Sequence, residues 1–281
     1  MPTAHGDSFR RPTLLERLGE RLRVPFSRFP LRGRLRAAYH WMMLAATRGR
    51  GLEAHLPGGE VIHVMPEYRY VTWNEDEYRA FKQAIRPGGV ALDIGANVGC
   101  YAVLLGQLVS PGGRVFAFEP SPAAYDGLVR HIALNHLEDV VVPVPAAVAD
   151  REGTGVLMRS GPTGTDRLAS AQEGGGGSEV GVTVTTIDRF CAARGIRPDF
   201  IKVDVEGAEL AVLEGARGTI EANRNGLSLF VEMHPALWPL LGVSSDAMRA
   251  ELARQHLRIR TLSATQEPWG REGECVRVLL K

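Results

Sequence analysis

The sequence predicts an α/β fold, an open and mostly parallel sheet with helices on both faces and an antiparallel last strand. Three observations lead there. From Val90 onward, short apolar runs alternate with stretches of helical periodicity, the pattern of strands joined by crossover helices. The first of these strands, ALDI, runs straight into Gly95-Ala96-Asn97-Val98-Gly99, a turn of small residues opening a helix. The last two strand-like segments, RIRTL and CVRVLL, are separated by about a dozen residues that include Pro268 and Gly270, which suits a hairpin and leaves little room for a right-handed crossover.

The elements follow in order. In TLLERLGERLR, Thr13 and Glu16 make a capping-box pattern and Leu14, Leu15, Leu18 and Leu22 an apolar stripe, so residues 13–23 are read as a helix. HLPGGEVIHV (55–64) reads as a turn entering a strand, and Asn74 with the acids after it opens a helix over 74–85. Strand ALDI is followed by helix YAVLLGQLV, turn SPGG, strand RVFAFE, a helix over 122–135 and strand VVVPV. Residues 159–181 are rich in Gly, Ser and Thr and lack a hydrophobic period, which predicts a flexible insert that could serve as a lid. The alternation resumes with VTVTTID, helix RFCAARG, strand DFIKVD, one helix through ELAVLEGARGTI, strand LSLFVEM, a helix over 244–256 and the closing pair. This divides the chain into a basic helical extension, 1–54, and an α/β domain, 55–281.

Composition narrows the function. A net charge of +1 over 281 residues sets up no field that calls for nucleic acid. The charge is uneven: residues 1–50 hold eleven arginines against Asp7, Glu16 and Glu20, a net of +8, leaving about −7 for the rest. The basic arm either touches an acidic partner or membrane surface, or caps the main domain with a solvated face. Cys100, Cys191 and Cys275 are scattered without a CxxC pair, as in a reducing compartment. The apolar run over 37–47 contains His40 and is too short to span a bilayer. A cytoplasmic protein is expected, and a homo-oligomer is compatible with the sequence.

An open α/β sheet binds its ligand beyond the carboxyl ends of the strands, which puts the site at the turn after ALDI. The spacing Gly95-x-x-x-Gly99 does not match the dinucleotide fingerprint, and no GK[ST] follows to cradle phosphate. Asp93, just before the turn, would repel a pyrophosphate and suit an ammonium group. Glu119 ends the second strand, where a carboxylate accepts hydrogen bonds from both hydroxyls of a ribose. A ligand with a ribose, a cationic end and no phosphate is S-adenosylmethionine. A nicotinamide-dependent oxidoreductase would share the sheet and the ribose acid, and a non-catalytic nucleotide-binding module would share the crevice.

DIGANVG, VFAFEPSP, VPVPAAVAD and IKVDVEGAELAVLEGA resemble the FkbM family of S-adenosylmethionine-dependent methyltransferases, from about Glu77 to His234. The resemblance implies a Rossmann-like class I methyltransferase fold with a seven-stranded sheet and antiparallel last strand. It also implies O-methylation, often of a natural-product or sugar hydroxyl, so the partner is a small-molecule acceptor. His131 stands where members tend to carry Asn, a departure that touches local packing.

These readings assign the site. Asp93, Gly95, Ala96, Asn97 and Gly99 border the methionine part of the cofactor, Glu119 holds the ribose, and Pro120, Ser121, Ala147 and Val148 flank the adenine. Glu77 and Tyr78 touch the amino-acid end, and Asp204 borders the cofactor from the facing strand. At the strand ends Asp204 and Glu232 should be neighbours about 5 Å apart, with Glu206 and His234 beside them. Lys202 shares a face with Asp204 and is read either as a structural ion pair or as a catalytic group. Glu206 and Glu209 also suit a helix N-terminus electrostatically. No metal is expected, because magnesium prefers oxygen ligands and no DN or DD pair follows the strand. His234 is then the general base, oriented by Glu232.

Overall fold

The computed structural model describes residues 32–69, 73–158, 167–168, 179–270 and 273–280. The expected helix over 13–23 and most of the 159–181 insert lie outside them. Packing divides the chain into units of residues 1–75 and 76–281. The division falls beyond the expected boundary at 54/55, because β1 (Leu52–His55) and β2 (Val61–Val64) form an antiparallel sheet of their own instead of joining the large one. The N-terminal unit also contains α1 (Arg32–Ala46).

In the second unit, α2 (Glu75–Ala84) leads into the expected alternation: β3 (Val90–Ile94), α3 (Cys100–Val109), β4 (Arg114–Phe118), α4 (Pro122–Leu134) and β5 (Val141–Val144). After an excursion described below come α5 (Ile187–Arg194), β10 (Phe200–Val203), α6 (Glu209–Glu214), α7 (Arg217–Ala222), β11 (Ser228–Met233), α8 (Ser245–Arg254), β12 (Leu257–Thr261) and β13 (Glu274–Leu280). The seven-stranded order is β12-β13-β11-β10-β3-β4-β5. β13 inserts antiparallel between β12 and β11, and the remaining pairs are parallel. The hairpin expected from the short connection is present, and the strands read as continuous apolar runs because both faces are covered.

The two faces differ in a way that builds the site. On one, Leu92, Ile94, Ile201, Val203, Leu229 and Val231 join Phe118, Phe190 and Trp238 in the main core. On the other, Phe81 of α2 packs edge-on against Phe200 and Phe230 with centroids 5.3 and 4.8 Å apart. Further toward the carboxyl ends that second face turns polar. Lys202 lies opposite Asp93 on β3 and Phe230 on β11, and two residues on, the same face carries Asp204 and Glu232.

Two features depart from the sequence reading. A second sheet of order β6-β9-β7-β8 joins Ala147–Val148, Glu179–Thr185, Gly153–Met158 and Arg167–Leu168. Glu179–Gly181, placed by sequence in the insert, therefore belong to a strand paired with β7. The single helix expected through ELAVLEGARGTI is broken at Gly215, where a Cβ would lie 2.0 Å from the Ala149 carbonyl oxygen. The Asp188 carboxylate then accepts the N–H groups of Gly218 and Thr219 at 2.9 and 2.6 Å, satisfying the start of a new helix.

Candidate active site

The cleft opens where β3, β4 and β10 end. Its wall is built from Gly95 and Asn97 after β3, from Glu119, Pro120 and Ser121 after β4, from Ala146 and the second-sheet residues Ala147, Val148 and Leu157, and from Asp204, Val205 and Glu206 after β10. It encloses about 700 Å³ counting its open mouth.

The turn glycines are required mainly by the protein itself. Gly95 has φ +83°, and a Cβ there would lie 1.8 Å from the Asp204 carbonyl oxygen; one at Gly99, φ +90°, would lie 2.5 Å from Leu128 of α4. The close approach that the sequence attributes to a ligand is thus first an approach of backbone to backbone and of helix to turn. Asn97 is also left-handed, at φ 49°. His131 reaches the same turn from α4, its Nδ1–H donating to the Val98 carbonyl at 2.6 Å.

Glu119 is buried, and its two carboxylate oxygens accept the Asn97 and Ser121 N–H groups, both at 2.8 Å. It fixes the turn and the β4 exit together.

Other expected cofactor contacts fall off the cleft wall. Asp93 is 0% exposed, and neither carboxylate oxygen has a hydrogen-bond partner among the described residues. Burial pushes its pKa up to about 6, against the pull of Lys202. Ala96 and Gly99 are not on the wall, nor are Glu77 and Tyr78. The Glu77 carboxylate accepts the Tyr101 hydroxyl at 2.7 Å, and the Tyr78 hydroxyl accepts from Lys82 at 3.3 Å. Burial first, and Glu232 next, push the Glu77 pKa up to about 7. A carboxyl with a raised folded-state pKa adds stability below its unfolded pKa and loses it as pH rises through the folded value. The wild type should therefore lose stability relative to Glu77→Gln between about pH 4.5 and about pH 7. Urea midpoints across that window check this, and parallel curves would refute it.

Beside the cleft the strand-end acids gather as expected, with different partners. Lys202 is 1% exposed, donates to Asp204 Oδ2 at 3.0 Å, and stacks over the Tyr101 ring at 4.8 Å. The buried position alone would depress the lysine, but Asp204, Asp93 and Glu232 hold its pKa above the ordinary value. Burial would raise Asp204, and Lys202 overcomes it and keeps that carboxyl low. Of the two sequence readings, Lys202 is an ion pair.

His234 follows β11. Its Nδ1 bonds Glu209 Oε1 at 2.7 Å, and its Nε2 faces Glu232 at 3.6 Å, Glu206 at 3.8 Å and Asp204 at 4.0 Å. The orienting carboxylate is therefore Glu209 and not Glu232. Glu209 is fully buried and also accepts Trp238 Nε1–H at 2.7 Å and the Gly207 N–H at 2.9 Å. Burial would lower the histidine pKa, but Glu209 and then Glu232 raise it to about 11. With Nδ1 held by Glu209 and Nε2 turned toward three carboxylates, His234 is not among the residues of the cleft wall. Glu206 lies on the cleft wall at φ 49°, a left-handed position uncommon outside glycine, and burial raises its pKa.

The family model described as methyltransferase FkbM domain matches residues 93–259, more than half of the chain. The chain belongs to the FkbM methyltransferase family. As a member of that methyltransferase family it takes S-adenosylmethionine as its cofactor. Among relatives of this FkbM-family chain, 31-O-demethyl-FK506 methyltransferase FkbM of Streptomyces tacrolimicus is 30% identical over 58% of this chain and 71% of its own. Hexuronic acid methyltransferase AglP of Haloferax volcanii is 26% identical over 59% of this chain and 64% of its own, so the match spans less than two thirds of AglP. Solved structures of similar fold include methyltransferase FkbM of Methylobacillus flagellatus KT, at 19% identity and TM-score 0.44 over 73% of this chain and 50% of that one. Another is the ribosomal protein L11 methylase of Lactobacillus delbrueckii subsp. bulgaricus, at 13% identity and TM-score 0.47 over 80% and 88%. Among the described residues no helix is long and apolar enough to cross a membrane.

Proposed function

We propose that this FkbM-family enzyme transfers a methyl group to a hydroxyl of a small molecule, a natural product or a sugar. The observation that carries this reading is the layout of the cleft, with Glu119 at one part of its wall and Asp204 and Glu206 at another. The names of the S. tacrolimicus and H. volcanii relatives, one a 31-O-demethyl acceptor and the other a hexuronic acid, support oxygen-rich acceptors.

The cleft fits the cofactor: the Glu119 carboxylate on its wall suits the hydroxyls of a ribose, and Ala146, Ala147, Val148 and Leu157 offer apolar surface to an adenine. When bound, S-adenosylmethionine supplies a methyl already activated on sulfonium. What remains for the protein is to bring an oxygen into line and accept its proton as the O–C bond forms and the C–S bond breaks. In this reading Asp204 and Glu206 line the acceptor side. Glu206 accepts the proton, while Asp204, held low by Lys202, stays ionised and orients the hydroxyl.

Glu119→Ala tests the cofactor assignment. Hydrogen bonds to charged groups contribute about 1.5–3 kcal/mol, so calorimetric affinity for S-adenosylmethionine should fall more than about tenfold. Because Glu119 also ties Asn97 to Ser121, a drop in melting temperature should accompany it. Unchanged affinity would refute the ribose role. Release of S-adenosylhomocysteine with polyol or uronic-acid acceptors, and none with amines, would support oxygen as the nucleophile.

A further inference from the structure

We infer that helix α1 anchors this protein on the surface of a membrane that contains anionic phospholipid. The helix is inverted relative to an ordinary surface helix, which turns its apolar stripe inward. Ala38, Trp41, Met42 and Ala45 are all exposed, and their offsets of three, four and seven residues set them on one face. Trp41 is 74% exposed, more than any other large apolar side chain among the described residues, and Met42 beside it is 44% exposed. Scattered single apolar groups are ordinary on a surface. Here four lie together, and the largest is of a type seldom left so far in water.

The opposite face is already engaged. Met43 is buried, and the Arg69 guanidinium lies 3.2 Å from His40 Nε2 and 5.4 Å from the centre of the Tyr39 ring. Rolling the helix to hide Trp41 would pull these contacts apart.

Charge selects the occupant. Residues 21–52 hold eight arginines and neither Asp nor Glu. Arg32, Arg34 and Arg36 fall at the start of α1, and Arg48 and Arg50, both exposed, follow its end. The apolar face is thus bracketed by positive charge, the pattern that an anionic bilayer surface attracts. Arginine can keep its guanidinium among the headgroups while its stem lies along apolar surface, and an indole suits that same boundary. At 15 residues α1 is too short to span a bilayer, so it would lie in the plane of the interface. A second copy of the chain fits less well: it would bring arginines against arginines, and one helix face is small beside the area a stable dimer buries. Nothing in this placement depends on what the cleft methylates.

The test uses the full chain and needs neither cofactor nor acceptor. Protein is floated with vesicles of phosphatidylcholine alone or mixed with phosphatidylglycerol. It should rise with the anionic vesicles, bind neutral ones at least about tenfold more weakly, and detach as salt screens the charge. Vesicles brominated along their acyl chains should quench part of the tryptophan emission, and Trp41→Ser should abolish that loss. The double variant Trp41→Ser, Met42→Ser should bind at least about tenfold more weakly, with its melting temperature kept because both side chains are exposed. No flotation at millimolar lipid, or flotation that the double variant keeps in full, would overturn the anchor. So would a wild-type dimer in solution that Trp41→Ser dissociates, since a second copy would then cover the face. Retention on polyglutamate without flotation would overturn it in favour of an acidic protein partner.

Discussion

Glu206→Gln should lower the rate of S-adenosylhomocysteine formation by about a hundredfold or more, while affinity for S-adenosylmethionine stays within about threefold. General-base contributions run to about 10²–10⁴ in rate, and the amide keeps the volume of the side chain and the shape of the wall. Glu206 lines the cleft itself, whereas His234 and Glu232 are not among its lining residues. Its left-handed backbone, φ 49°, is followed by Gly207 at φ 104°, where a Cβ would meet Leu237 at 2.9 Å. A strained pair of this kind persists when its surroundings over-determine it, and such positions cluster at functional sites. The pH profile gives a second readout. Burial raises the Glu206 pKa, and the ionised form is the one that accepts a proton. Wild-type activity should thus fall as pH drops through a value above the ordinary glutamate range, and Glu206→Gln should lose that limb. A variant that turns over at the wild-type rate would remove Glu206 from the proton path.

What the sequence made legible was what local pattern encodes. The alternation after Val90 gave the parallel strands, and the short Pro268- and Gly270-containing connection gave the antiparallel edge. Glu119 was legible because a strand end has a fixed place in such a sheet. The second sheet was not. β7 is largely exposed, with Leu157 as its buried residue, so its six residues show no apolar alternation to read. Gly215, where the helix breaks, packs against the backbone of Ala149, a residue far away in sequence, and no local signal announces that contact. Asp93 illustrates a subtler limit. Its position before the turn suggested a ligand contact, but the register places it opposite Lys202 on the inner face of the sheet. His234 and the acids beside it follow from adjacent strand ends, whereas Glu209 reaches that histidine from α6, and only the folded chain brings the two together.

That last contact carries the largest expected stability effect. Glu209→Leu should lower the free energy of unfolding by about 3–5 kcal/mol, the range for breaking a buried pair by removing one partner. The carboxylate is 0% exposed and serves three donors, His234 Nδ1–H, Trp238 Nε1–H and the Gly207 N–H. Each would be left buried without an acceptor, at about 1–3 kcal/mol apiece if the losses were independent. They are not, because all three converge on one group, and the pair value is the better guide. Leucine does fill the space, so the loss reports the hydrogen bonds and charge, with little contribution from a cavity. Glu209→Gln should fall between the two, since its carbonyl keeps one set of donors while its amide nitrogen confronts the other. Guanidinium denaturation at constant slope measures the series. A loss below about 1 kcal/mol for leucine would mean that water or a relaxed His234 satisfies these donors, and Glu209 would then not be what fixes the imidazole.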